Sequence, residues 1–287
     1  MKKRQPILNF VLIILCVIII APFLLIVGVS LSNEKDVLVD GYRFIPKHFD
    51  LSAYKYLFSD PTHIINAYRV TIIYSVVATV LGVLLMAMFA YPLSQKELPK
   101  RKAISFLLYF TMLFSGGLVP TYILIANYLK LSNTLMVYIV TGLIVPWYVF
   151  MMRTFFNDIP NEIIESALVD GANDFMIFWK FILPLSKPVL ATSALFMFLG
   201  KWNDWNTALL YITDDNLVSL QYLLQKIMKN IELIRSSEFA AATNVSEIPS
   251  ETVRMAMVVV VAGPALVVFP FFQKYFVKGL TVGSVKG

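Results

Sequence analysis

Little in this 287-residue chain is charged: Asp, Glu, Lys and Arg make up 15% of it, while 58% is hydrophobic. That is far more apolar surface than one soluble core of this length needs, so a bilayer is the natural solvent. Cysteine is nearly absent; with Cys16 alone, no intramolecular disulfide is possible. The two histidines, His48 and His63, share one loop without further ligand-type spacing, so no metal site is expected. The single Gly-Lys pair, Gly200-Lys201, is followed by Trp202, which excludes a phosphate-cradling Gly-x-x-x-x-Gly-Lys-Ser/Thr loop. A membrane-embedded enzyme would need carboxylates, histidines or cysteines converging at membrane depth, and they are missing. The net charge of +6 needs no nucleic acid to explain it; its distribution says more.

What is present is a series of long uncharged runs. Five lie at residues 6–31, 70–93, 103–129, 131–152 and 255–273, each near the roughly 20 residues that carry a helix across about 30 Å of hydrocarbon. A sixth, near 188–213, is interrupted by Lys201 and Asp204, so it reads as a weak span or as two short pieces. The amino-terminal run is too long for a cleaved signal and has no small-x-small site before Asn33, so it reads as a retained first span. The expectation is an all-α membrane protein of one domain, 1–287, with six spans at about 7–31, 69–93, 104–128, 132–153, 186–212 and 252–276. External loops fall at 32–68 and 213–251. With the amino terminus inside, the short cytoplasmic segments collect Lys2, Lys3, Arg4, Lys96, Lys100, Arg101, Lys102, Lys274, Lys278 and Lys286, as the positive-inside rule requires. Both termini are then cytoplasmic.

The segment between spans four and five is long and mixed in charge. Asp158 is placed to cap a helix with Pro160 in its first turn, Glu162 and Glu165 suit that helix's positive end, and Gly171 suits its carboxyl end. A second helix is expected from 174 to 182, stopped or kinked at Pro184. The result is a cytoplasmic hook over 158–184, which on pattern alone is also what an interfacial amphipathic hairpin looks like.

The residues of that hook carry a resemblance. Glu165-Ser166-Ala167-Leu168-Val169-Asp170-Gly171-Ala172, then eight residues, then Phe181-Ile182-Leu183-Pro184 resembles the cytoplasmic motif of ABC-importer permeases: Glu-Ala-Ala, three residues, Gly, nine residues, Ile-x-Leu-Pro. Ser166 stands for an alanine and Phe181 for the usual isoleucine. Asp-Gly-Ala, Leu-Pro-Leu-x-x-Pro, the stretch Trp202-Asn203-Asp204-Trp205-Asn206, the 114–122 segment with Gly116-Gly117 and the carboxyl-terminal tail resemble the carbohydrate branch of that family, especially permeases for complex oligosaccharides.

The resemblance implies a type I importer fold in the bacterial cytoplasmic membrane. It also implies the partners: a second permease as heterodimer, two ATPase subunits holding ATP and Mg²⁺, an extracytoplasmic solute-binding protein, and lipid. No cofactor is expected on this chain, and it is a transport subunit and not an enzyme. Glu165, Ser166, Ala167, Asp170, Gly171, Ala172, Leu183 and Pro184 are implied to form the coupling helix that docks on the ATPase. Lys278, Gly279 and Lys286 in the tail are implied to reach the ATPase, the alternative being a free end near anionic lipid. A non-sugar importer permease and, further off, a channel are the competing readings.

Span five leaves two readings open. Trp202, Asn203, Asp204, Trp205 and Asn206 put aromatic faces beside hydrogen-bonding groups, as a sugar pathway does, because a pyranose has an apolar face and a polar edge. The same residues at an outer interface would form an aromatic belt. Leu217, Leu220, Leu224, Ile227, Ile231 and Ile234 form a helical stripe in the following loop, for packing on the protein's own rim or against a docked binding protein. Gly116-Gly117 with Pro120 is expected to loosen span three, and Pro146, Pro264 and Pro270 to kink spans four and six.

Overall fold

The computed structural model describes residues 6–59, 61–236 and 250–282. Among these residues regular structure is helical, and the β structure is one isolated bridge between Ser32 and Phe49. A helix satisfies its backbone polar groups within one segment, which hydrocarbon demands.

Three helices are long and apolar enough to cross a bilayer unbroken: Pro6–Ser30, Pro61–Ser94, and the Ser250–Val268 part of Ser250–Val282. The first buries only Gly28, Val29 and Ser30, so its apolar side chains face outward. Its composition is what a lipid-facing surface needs. The second begins at Pro61, well ahead of the position-69 start expected from hydropathy, and its 34 residues extend about 51 Å, beyond the hydrocarbon thickness.

The spans expected at 104–128, 132–153 and 186–212 are each broken. Arg101–Leu113 and Leu118–Tyr128 meet at 109°, and Gly117 in the bend sits at φ +88°, where a Cβ is disfavoured. Leu135–Val140 and Pro146–Asn157 are parted by a loop in which Gly142 takes φ +65°, and Pro146 opens the second piece. Lys187–Trp202 and Asn206–Tyr211 flank a gap at 203–205, so the weak fifth span is two pieces. Glycine and proline supply the first two breaks, and polar side chains the third.

The chain groups into two compact units, Met1–Ile65 with Leu223–Pro264, and Asn66–Tyr222 with Ala265–Gly287. In the first, the buried carboxylate of Glu34 caps the last long helix. Its Oε1 accepts from the amides of Ser250 (3.1 Å) and Glu251 (2.9 Å), its Oε2 from the amide of Thr252 (2.9 Å), and both hydroxyls add their bonds. A helix amino terminus carries unsatisfied N–H groups and a partial positive charge, and one anion answers both. Nearby, Asn33 caps its own helix by accepting from Lys35 and donates to Asp50 at 3.0 Å. The Ser52 amide, bonded to Asp50 at 2.8 Å, holds that carboxyl below its usual range.

In the second unit, Tyr74 and Tyr138 stack with centroids 4.4 Å apart, and Tyr74, Tyr138, Met152, Ile177 and Ile182 are all almost fully buried. A Cβ at Gly82 would lie 2.8 Å from the Leu143 carbonyl oxygen and closer still to Met197. The absent side chain lets the long helix press against the break at 141–145 and against Lys187–Trp202.

Candidate functional site

The hook is built from three pieces of local chemistry. Asp158 serves as the C-cap of Pro146–Asn157, and the next helix, Asn161–Val169, starts after Pro160 with no side-chain cap. The expected capping role of Asp158 is therefore corrected. Pro160, fixed in φ, separates two helices and stands just outside the first turn. At the other end the helix closes on a Schellman turn, in which the Ala172 amide donates to the Ala167 carbonyl (2.9 Å) and the Gly171 amide to the Leu168 carbonyl (3.0 Å). Gly171 takes φ +81°, the left-handed geometry this turn requires.

Asn173 restarts the chain, its side chain accepting from the Met176 amide at 2.8 Å. The second helix is Asp174–Ile177, continued by a π turn over Phe178–Ile182 and by Leu183–Leu185. Pro184 lacks the N–H that would bond the carbonyl of Lys180 and crowds it as well, and the wide turn accommodates that loss. The kink itself falls at Ser186, two residues beyond Pro184, where the next helix leaves at 78°.

Burial divides the hook cleanly. Ala167, Ile177, Phe178 and Ile182 are buried anchors, with the Phe178 ring 5.4 Å from that of Tyr91. Glu165, Ser166, Asp170 and Gly171 are exposed, and so are the apolar Leu168, Val169 (87%) and Phe175 (66%). Ala172 and Leu183 are half-buried and Pro184 exposed. Exposed Val and Phe at a tip whose backbone is so fully tied down form an apolar surface open to a partner. Glu165 lies on the wall of an open cleft of about 480 Å³ that Lys96, Arg101 and Asn161 also line. A second cleft, about 620 Å³, separates the hook from the end of Pro61–Ser94, with Tyr91, Gln95, Leu168 and Phe175 on its walls.

The residues around the break in span five are put to structural use. Lys201 is buried, and its Nζ donates to the carbonyls of Tyr138, at 2.6 Å, and of Thr141. It thereby places a cation at the negative end of Leu135–Val140 and satisfies carbonyls that the break exposes. Its own carbonyl accepts from the Tyr74 hydroxyl at 3.0 Å. Trp202 is 2% exposed and stacks on Phe198. Asp204 accepts from the amide (3.0 Å) and hydroxyl (2.6 Å) of Thr207 in the first turn of Asn206–Tyr211. Asn203 is exposed, donating to the Leu199 carbonyl and accepting from Gln221. Trp205 and Asn206 are exposed too. An open cleft of about 330 Å³ runs beside Lys201, Asp204 and Thr207. The five residues of the motif are thus close in space but differ in work, Trp202 and Asp204 building the break while Asn203, Trp205 and Asn206 line its outside.

The helix Ser250–Val282 includes Lys278 and Gly279, and Lys286 lies outside the described residues. Within the loop stripe, Leu220, Leu224 and Ile231 are buried on Leu220–Ser236. Among the described residues no group of histidines, cysteines and carboxylates is arranged to hold a metal ion.

Residues 4–282 match the family described as binding-protein-dependent transport system inner membrane component. The chain belongs to that family. This permease is 38% identical to protein LplC of Bacillus subtilis over 275 residues, covering 94% of this chain and 90% of the relative. It is 35% identical over 279 residues to the polygalacturonan/rhamnogalacturonan transport system permease protein YtcP of the same organism, covering 96% of each. A chain of a bacterial ABC transporter involved in the import of the acidic polysaccharide alginate superposes with a TM-score of 0.81 at 29% identity, covering 96% of this chain and 99% of that one. The permease is a multi-pass inner-membrane transport subunit and not an enzyme. Its family works with a binding protein, so partners are intrinsic to its activity.

Sequence reasoning missed two features of the permease. Glu34 follows the first span directly, and as one acidic residue in a loop it gives no sign of the helix it caps 216 residues later. Lys201 stands out in the sequence only as an interruption of the run near 188–213, whereas it closes the break at 141–145; the signal lies in Gly142 and Pro146, whose presence implies carbonyls in need of a donor.

Proposed function

We propose that this permease forms one half of the translocation pathway of an ATP-driven importer for an oligosaccharide or polysaccharide fragment, and that the hook over 158–184 is its coupling element. The observation that carries the reading is the hook: a Schellman-closed turn with buried anchors and an exposed tip of Glu165, Leu168, Val169 and Asp170. An ATPase changing state can move a membrane protein only through contacts that differ between its states, and a rigid docked element transmits them. Glu165 offers an anionic anchor, Ala167 and Ala172 keep the element slim, and Leu183 and Pro184 lead to the 78° bend that turns its motion into span five. The carbohydrate reading draws on relatives named for polygalacturonan/rhamnogalacturonan, arabinooligosaccharides and alginate.

In this arrangement a second permease completes the pathway, two ATPase subunits bind ATP and Mg²⁺, and an extracytoplasmic protein delivers the solute. The chain crosses the membrane six times, three of the crossings broken, with both termini and the hook in the cytoplasm. The exposed face of Asn203, Trp205 and Asn206 borders the solute path, and the tail through Lys278, Gly279 and Lys286 reaches the ATPase. The test is ATPase activity of the purified complex with its binding protein across a panel of neutral and acidic oligosaccharides. Stimulation by a carbohydrate and its loss in Glu165→Ala are expected. Stimulation by a non-carbohydrate solute alone would overturn the substrate class, and full transport by Glu165→Ala the role given to the hook.

A further inference from the structure

Beside the 96–100 connection, between Arg101–Leu113 and Pro146–Asn157, lies an open cleft of about 730 Å³ whose lining includes no residue of the hook or of the span-five break. Five cations line it, Lys96, Lys100, Arg101, Lys102 and Arg153, and no carboxylate does. None of the five is ion-paired among the described residues.

Three of these cations stand where helix electrostatics opposes them. Lys100, Arg101 and Lys102 occupy the N-cap and first turn of Arg101–Leu113, the positive end of that helix, with no acidic residue and no side-chain cap. Each is disfavoured by the helix dipole in that position, and an anion in the cleft reverses the sign. The arrangement is also built and not merely collected. Arg101 Nε is fixed by the Leu93 carbonyl at 2.8 Å, and Arg153 is aimed by its bond to the Ser105 hydroxyl at 3.1 Å. The Nε–H of Arg153 is buried with no acceptor, a donor that waits for one.

The same helix supplies an apolar continuation. Arg101–Leu113 buries none of its residues, and Phe106, Leu107, Phe110 and Leu113 are exposed along it from the cleft onward. Tyr109, at 50% exposure, joins the cleft wall to that surface. A ligand filling both parts has a phosphate at the cation cluster and hydrocarbon along the helix.

We propose that this cleft is a binding site for the headgroup phosphate of an anionic membrane phospholipid, whose acyl chains lie along Arg101–Leu113. A free phosphate would meet the cations alone, and an acidic protein segment would have no use for a hydrocarbon track. Removing two cations from such a site weakens lipid binding about 30-fold at roughly 1 kcal/mol for each.

The test uses the full chain with its co-purifying subunits, reconstituted in phosphatidylcholine nanodiscs and titrated with phosphatidylglycerol, with native mass spectrometry reading retained lipid. Lys100→Gln with Lys102→Gln is expected to lose retention about 30-fold, and Lys100→Arg with Lys102→Arg to keep it. Equal retention by the Gln pair would overturn the proposal. So would competition by millimolar inorganic phosphate as effective as by the lipid, which would make the site one for the free anion. Unchanged lipid retention with loss of a co-purifying subunit would assign the cleft to a protein partner and overturn it equally.

Discussion

Lys201 shows how one side chain can change meaning with its surroundings. A buried ammonium is costly when alone, yet here two carbonyls at the frayed end of Leu135–Val140 accept from it. Lys201→Met keeps the stem and removes the donor, leaving those carbonyls unsatisfied at about 1–3 kcal/mol. The expected outcome is a lower unfolding temperature of the detergent-solubilised protein, with Lys201→Arg intermediate; an unchanged midpoint for Lys201→Met would show that the bonds contribute nothing. Asp50 is the corresponding polar lock outside the spans. The Ser52 amide depresses its folded-state pKa, so its contribution is present above the ordinary carboxylate range and is lost as pH falls through the folded value. Proteolysis of the 32–59 loop should accelerate on acidification below about pH 4, and Asp50→Asn should remove that pH dependence.

At the scale of elements, the ends of helices decide more than their middles. Glu34 takes five donors at the start of Ser250–Val282, and Glu34→Ala strips that helix of its cap. A loss of about 2 kcal/mol is expected, visible as faster hydrogen exchange at residues 250–252, while Glu34→Gln, still an acceptor but uncharged, retains part of the protection. Gly171 is the same problem at the other end of a helix. A Cβ there meets nothing within 4 Å, so Gly171→Ala costs backbone strain alone, about 1–2 kcal/mol. The expected readout is reduced solute-coupled ATPase activity with normal membrane insertion, restored in part by Gly171→Asn, which tolerates the left-handed region.

The hook was legible in the sequence because its determinants are local: Gly171 for the turn, Pro184 for the approach to the bend, and a fixed spacing between them. The three unbroken spans were legible because hydropathy reads composition. The breaks were legible only as suspicions, since Gly142 and Pro146 permit a break while Lys201, some 60 residues on, stabilises it. Glu34 was not legible at all, because a cap supplied from 216 residues away leaves no periodicity or spacing in the chain.

For the molecule as a whole, the orientation in the membrane is open to direct measurement. Val169, 87% exposed at the hook tip, is a position where a substituted side chain meets solvent without disturbing packing. With the ATPase subunits stripped from the membranes, a Val169→Cys variant should react with a membrane-impermeant maleimide in inside-out vesicles and stay unlabelled in intact cells. Labelling of intact cells would place the hook outside and undo the topology on which its ATPase role depends. That experiment is simple because of the first helix. Cys16, the chain's one thiol, is exposed on an outward-facing apolar span where alanine or valine serves as well. A single replacement there therefore gives a thiol-free background, into which pairs of spectroscopic labels can be introduced to follow hook and spans through the transport cycle in angstroms.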